Sequence, residues 1–338
     1  MIPQLEIEER TPSVEPLAAS RLLADLSLAV ARRGETAGPL ATGYHPLDTF
    51  LNGGFSPGNL VVTGGKPGTG KTVMLMQWAR EMAKRGTKVA YVCYDHGERA
   101  MLGRLLTLEL GEVAADVDAT TIEHLRTKVR DHVAGRCSGE QLVDFHPALR
   151  IAYDEISDYG DNLVLYRGSV RSTDLRALRS IADSSVGSGG ALFVDFIQKV
   201  PAGPNGGHSE ATVVAAGLKD LAVDHDVAVI AAASVNEMGL RQRRLRVDHL
   251  NAAAALVHEA DLLMLLNDKS TALSKNHLAY DLTMLEKARG LMVLTIEKNR
   301  DGPAPISFEF HKRFSSFRFD PQGGFLSETL IDDTLFSE

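Results

Sequence analysis

Cysteine is scarce. Cys93 and Cys137 are the only two in 338 residues, too few for a disulfide framework or a four-cysteine zinc site, so a reducing, cytoplasmic setting is expected. No apolar run approaches the ~18 residues that a membrane-spanning helix requires. The opening MIPQLEIEER carries acids where a secretory leader would carry a basic stretch and an apolar core. Neither secretion nor membrane attachment is expected. A basic excess is also missing: 36 Lys+Arg against 44 Asp+Glu leave a net charge of −8. That speaks against a chain coated in nucleic acid, while leaving room for a local basic loop. Aromatics are few, at 6%, yet 44% hydrophobic and 24% charged residues suit an ordinary globular protein with a sizeable core.

Residues 1–13, with Pro3 and Pro12, read as a flexible start. Ala19, Leu22, Leu23, Leu26, Ala29 and Val30 then fall at helical spacing. Residues 14–40 are expected to form a short amphipathic helix and a connector, the helix packing either on its own domain or on a neighbouring subunit. From residue 41 onward the spacing predicts one α/β domain reaching residue 338. Apolar runs at 60–65, 89–94, 163–168, 191–197, 227–234, 261–268 and 291–299 alternate with helical patterns, as in a largely parallel sheet with crossover helices. Their near-continuous hydrophobicity implies strands covered on both faces. PISFEFHKRFSSFRFD at 305–320 alternates apolar and polar residues and predicts an antiparallel pair at the sheet edge. A charged, helix-like insertion lies between Gly111 and Gly160.

Gly65-Lys66-Pro67-Gly68-Thr69-Gly70-Lys71-Thr72 fits GxxxxGK(S/T), follows an apolar strand and opens a helical pattern. Glycines let successive backbone N–H groups turn inward on phosphate oxygens, and the helix that follows adds its positive end. Lys71 is expected to pair with the β- and γ-phosphates of ATP, and Thr72 to offer its hydroxyl to Mg²⁺. The metal needs a carboxylate from a neighbouring buried strand, and ALFVDFIQ supplies Asp195. Asp95, at the end of the second strand, is a candidate to orient the attacking water. Its alternative role is to cap the helix that starts near Glu98. His96 reads as a bystander.

With these residues in place, the sequence resembles the RecA-type motor domain of the bacterial replicative helicases, the DnaB family. The resemblance covers about residues 41–320, through TGYHPLDTFLNGGFSPGNLVVTGGKPGTGKT, VAYVCYDHGERAMLGRLL, ALFVDFIQ and LTIEKNRDGP. It implies a RecA-like P-loop NTPase fold, a largely parallel sheet flanked by helices and preceded by the short N-terminal helix. In that family a glutamate matches Asp95 and a sensor glutamine matches Ser234, so both positions depart from the pattern. Lys298-Asn299-Arg300 resembles the segment whose Lys and Arg reach the neighbour's γ-phosphate, with Arg300 as the arginine finger. A finger given in trans implies a head-to-tail oligomer of this chain, by family habit a hexamer. The family's helical collar domain has no counterpart in the roughly forty residues before the motor, so contacts made through a collar are not expected.

Two loops at strand ends could face a central channel: Gln198–Ala211, with Lys199, and Asn236–Asn251, with Arg241, Arg243, Arg244 and Arg246. Guanidinium groups there suit salt-dependent binding of a phosphate backbone. The family resemblance implies single-stranded DNA. The reading that follows is an Mg-ATP-dependent, ring-forming motor that translocates on single-stranded DNA. The alternative is a regulatory or scaffold ATPase whose assembly is nucleotide-controlled. A small-molecule kinase would fit the phosphate loop alone.

Overall fold

The computed structural model describes residues 18–21, 38–114, 117–202, 210–273 and 282–331. The chain divides into two compact units, 1–37 and 38–338. In the first, residues 19–21 are helical. The flexible start at 1–13 and most of the helix expected over 14–33 lie outside the described residues.

The second unit is built on ten strands: β1 Leu60–Gly65, β2 Val89–Cys93, β3 Leu163–Arg167, β4 Ala191–Asp195, β5 Ala228–Ala233, β6 Leu262–Asp268, β7 Leu291–Asn299, β8 Ile306–Arg313, β9 Arg318–Phe319 and β10 Gly324–Phe325. The sheet order is β10-β8-β7-β6-β1-β5-β4-β2-β3, with β9 paired to β8. From β6 to β3 every pairing is parallel, whereas β7, β8, β9 and β10 add antiparallel pairs on the β6 side. The helices are α1 His45–Phe50, α2 Lys71–Lys84, α3 Glu98–Val113, α4 Ala119–Val133, α5 Gly139–Val143, α6 Pro147–Tyr159, α7 Leu175–Ile181, α8 Glu210–Asp224, α9 Glu237–Arg241, α10 Ala253–Glu259, α11 Lys269–Ala272 and α12 Leu282–Arg289. This is the RecA-like α/β architecture expected.

Alternating residues of each central strand feed two cores, because successive side chains leave opposite faces. Val61 packs with Trp78, Tyr44 and Phe310 under α2. Leu60 and Val62 pack with Leu178, Leu218 and Leu256 under α7, α8 and α10. A separate apolar cluster fills the helical insertion, where Leu106 and Leu110 of α3 meet Leu125, Leu142 and Leu149. One buried carboxylate ties α3 to α2 and to α6. Glu109 accepts from Arg80 Nε at 2.7 Å, Arg80 Nη2 at 2.5 Å and the Tyr159 hydroxyl at 2.9 Å.

Coverage on both faces does not hold for 163–168. β3 is the edge strand, and Val164 is 37% exposed. Helices screen the centre of a twisted sheet more fully than its margin, so an apolar run at the edge stays half wet.

Candidate functional site

Parallel strands deliver their C-terminal ends to one rim of the sheet. Register places Gly64 beside Ala233 and Cys93 beside Asp195. The loops after β1, β2, β4 and β5 therefore converge. They bound a cleft of about 650 Å³ lined by Lys71, Thr72, Asp95, Asp195, Ser234 and Phe317, among others.

The phosphate loop curls where its sequence lets it. Gly70 has φ +94°, and a Cβ there would lie 2.6 Å from the Phe319 ring and 2.8 Å from that of Phe314. Glycine is thus required twice over, by backbone and by crowding. Gly70 also stands at the start of α2, whose first turn has no side-chain cap, so its amide groups are left to face the loop. Lys71 Nζ donates to the carbonyls of Gly65 at 2.7 Å and Lys66 at 3.0 Å. Burial lowers its pKa, opposed by Asp195 and Asp95.

Asp195 is 4% exposed. Its carboxylate accepts from the Tyr91 hydroxyl at 3.0 Å and is hydrogen-bonded to Thr72. Burial nevertheless raises its pKa; Thr72, Tyr91 and Lys71 oppose the rise, and Asp95 adds to it. A buried carboxylate beside a hydroxyl is the donor set that suits Mg²⁺, because a hard cation would offset the cost of that buried charge. A carboxyl whose folded pKa lies above its unfolded one aids folding fully below the unfolded value, and this aid is lost as pH rises through the folded value. Above that range the buried carboxyl therefore opposes folding. Asp195→Asn is expected to raise the thermal midpoint of the nucleotide-free protein at pH 7. A midpoint that falls in scanning calorimetry would contradict this sign.

Asp95 does not cap α3, whose N-cap is Gly97 without a side-chain bond. Instead its carboxylate pairs with Lys199 Nζ. His96 bonds Arg104 Nη2 at 2.6 Å, and burial first, then Arg104, lowers its pKa. Arg104 in turn sits 4.8 Å from the centre of the Phe317 ring. The Ser234 hydroxyl accepts from Asn251 Nδ2 at 2.9 Å, and its amide donates to Gln198 Oε1 at 3.0 Å. The serine thus braces the loops after β4 and β5.

The basic loop is less open than its sequence suggests. Arg241 and Arg243 are exposed. Arg244 Nη1 donates to the Ile331 carbonyl at 3.0 Å, and Arg246 Nη1 lies 3.5 Å from Glu297 Oε1. Leu245 between them is fully buried, and its amide donates to Asn267 Oδ1 at 2.6 Å. Anchoring Leu245 draws its two flanking guanidiniums against the protein. Of the other candidate loop, residues 203–209 lie outside the described residues. Lys66 Nζ of the phosphate loop donates to the Gln242 carbonyl and so touches the basic segment directly.

Lys298 and Arg300 lie on the opposite rim. β7 runs antiparallel to β6, pairing Asn299 with Leu262. Arg300 Nη1 is 2.9 Å from Asp261 Oδ1, and its Nη2 donates to the His258 carbonyl at 3.0 Å. Lys298 Nζ donates to the carbonyls of Val257 and Ala260, both at 2.6 Å. A six-residue strand spans about 20 Å, so neither side chain can reach the phosphate loop of its own subunit.

Arg104, Phe314, Phe317 and Tyr91 escaped the sequence reading. The two phenylalanines reach the cleft from the turn after β8, some 240 residues beyond the phosphate loop, and no local spacing marks such a convergence.

The family model for the DnaB-like helicase C-terminal domain matches residues 39–319. The chain is 24% identical over 302 residues to the replicative DNA helicase DnaB of Mycoplasma pneumoniae, covering 86% of this chain and 60% of that one. It is 23% identical over 310 residues to the replicative DNA helicase DnaC of Bacillus subtilis, with the same coverage. The chain thus spans about 60% of the length of these curated relatives. Among solved structures, a DnaB-like replicative helicase superposes with a TM-score of 0.62 at 18% identity, over 90% of this chain and 67% of that one. A solved ATPase domain superposes with a TM-score of 0.66, also at 18% identity, over 90% of this chain and 99% of that one. At such identities the superpositions speak for the fold.

Proposed function

Because the chain belongs to the DnaB-like helicase C-terminal domain family, we propose that it is an Mg-ATP-driven motor that assembles head to tail, by family habit as a hexamer, and moves along single-stranded DNA. The observation that carries this reading is the division of catalytic groups between two rims of one sheet. Phosphate loop, Asp195 and Asp95 lie at one, and Lys298 and Arg300 at the other.

In such an assembly the backbone amides of Gly68–Thr72 and the Lys71 ammonium hold the β- and γ-phosphates. Thr72 and Asp195 would hold Mg²⁺, which supplies charge that offsets the phosphate oxygens. Water attacks the γ-phosphorus while the bond to the β,γ-bridging oxygen breaks. ADP and inorganic phosphate are released, and the water proton passes toward Asp95. Arg300 and Lys298 of the adjacent subunit stabilise charge on the moving phosphoryl group. Translocation would follow if Lys66, bonded to the Gln242 carbonyl, carries the nucleotide's arrival into the arginine segment.

The basic segment supplies the test. Arg241→Ala/Arg243→Ala is expected to weaken binding of oligodeoxythymidylate and to make the log–log salt slope shallower by about 1.4, two single-strand phosphate contacts at ~0.7 each. ATPase stimulation by the oligonucleotide should fall in parallel. An unchanged slope with full stimulation would remove nucleic acid from this loop. The pairing of Asp95 with Lys199 favours a second reading, a slow ATPase whose nucleotide controls assembly. ATP-driven oligomers with no response to oligonucleotide would select it.

A further inference from the structure

Asp95 and Lys199 come from different elements. The first stands two residues beyond β2, the second in the turn after β4, and the Cys93–Asp195 register sets these strand ends side by side. Among the described residues, the Asp95 carboxylate accepts a hydrogen bond from the Lys199 ammonium alone, and that ammonium donates to no other group. The ring of Phe196 lies 5.3 Å below the ammonium and helps hold it over the cleft. One carboxylate oxygen is thereby committed to the ammonium. Asp95 also lines the same cleft as Lys71 and Thr72, close enough for its charge to oppose the fall in the Lys71 pKa.

We propose that Lys199 is a latch on Asp95, opened when a phosphodiester of single-stranded nucleic acid takes over the ammonium. This rests on the reading in which Asp95 orients water, and it names how that site is regulated. The side chains are 36% and 43% exposed, which decides the matter energetically. A partly exposed ion pair is worth at most ~1 kcal/mol, so an arriving phosphate can exchange with the carboxylate; a fully buried pair could not open in this way. The basic groups that bring a strand close, Arg241 and Arg243, follow β5, the strand adjacent to β4 at the same rim. Exchange leaves the net charge of Lys199 unchanged, transfers no proton, and frees Asp95 to turn toward the water. The latch offers a direct route from bound strand to hydrolysis.

The test measures steady-state ATPase of the full chain with and without oligodeoxythymidylate. Lys199→Gln should raise the rate without oligonucleotide by about two- to fivefold, the population shift expected on losing such a pair. It should lower the stimulation ratio by the same factor. Lys199→Arg, which keeps the ion pair, should return both toward wild type. A Lys199→Gln rate equal to or below wild type without oligonucleotide overturns the latch, as does Lys199→Arg matching Lys199→Gln. Asp95→Asn separates the two layers. Full activity in that variant strikes the underlying assignment of Asp95, whereas a large loss with no Lys199→Gln activation strikes only the latch.

Discussion

Lys71→Ala is expected to lower kcat/KM for ATP by at least about 10²- to 10³-fold, the range for deleting one preorganised donor to a developing anion. Lys71 is largely buried at the base of the cleft, and its ammonium already spends two bonds on the carbonyls of Gly65 and Lys66. Burial alone would drive it toward the neutral amine, but Asp195 and Asp95 oppose that. The charge is therefore held on a rigid loop, ahead of the phosphates it would meet. Alanine removes that charge and leaves two loop carbonyls to find water. Lys71→Arg separates charge from shape: the planar fork keeps the charge but not the point geometry, so it should restore less than full turnover. Unchanged turnover in Lys71→Ala would end the assignment of this loop to the triphosphate.

The second large effect concerns Arg300. Loss of an arginine finger costs ~10³–10⁵ in rate, and Arg300→Ala should fall in that range with nucleotide affinity affected far less. The variant should remain folded, because Asp261 keeps two other donors, the Leu60 amide at 2.8 Å and Lys219 Nζ at 2.7 Å. Mixing makes the test specific. An Arg300→Ala subunit still offers a sound phosphate loop, and a Lys71→Ala subunit still offers a sound arginine. In an equal mixture, random head-to-tail pairing brings the two sound halves together at about a quarter of the interfaces. Activity near that fraction of wild type is expected from two proteins that are each nearly inactive. Absence of any recovery in exchanging oligomers would place Arg300 outside the site.

Seven strands, β1 to β7, were legible in the sequence as continuous apolar runs, and each begins and ends within two residues of its run. Direction was not legible. Nothing in LMVLTIEKN distinguishes antiparallel β7 from the central parallel strands, since its first six residues are as buried as theirs. The phosphate loop stood out because its chemistry is local to eight consecutive residues. The cleft wall did not, since Arg104 belongs to α3 and Phe317 to the turn after β8. Likewise four arginines in six positions read as one basic patch, until the burial of Leu245 turned two of them inward.

If the site is shared between subunits as proposed, the placing of its two halves on opposite rims sets a stoichiometry. An open string of protomers leaves one half unmatched at each end, so it has one fewer working centre than it has members, and a lone molecule has none. A twofold pair that joins like rims would also be inert. Dilution alone should therefore silence this protein, and closure would bring every member into use.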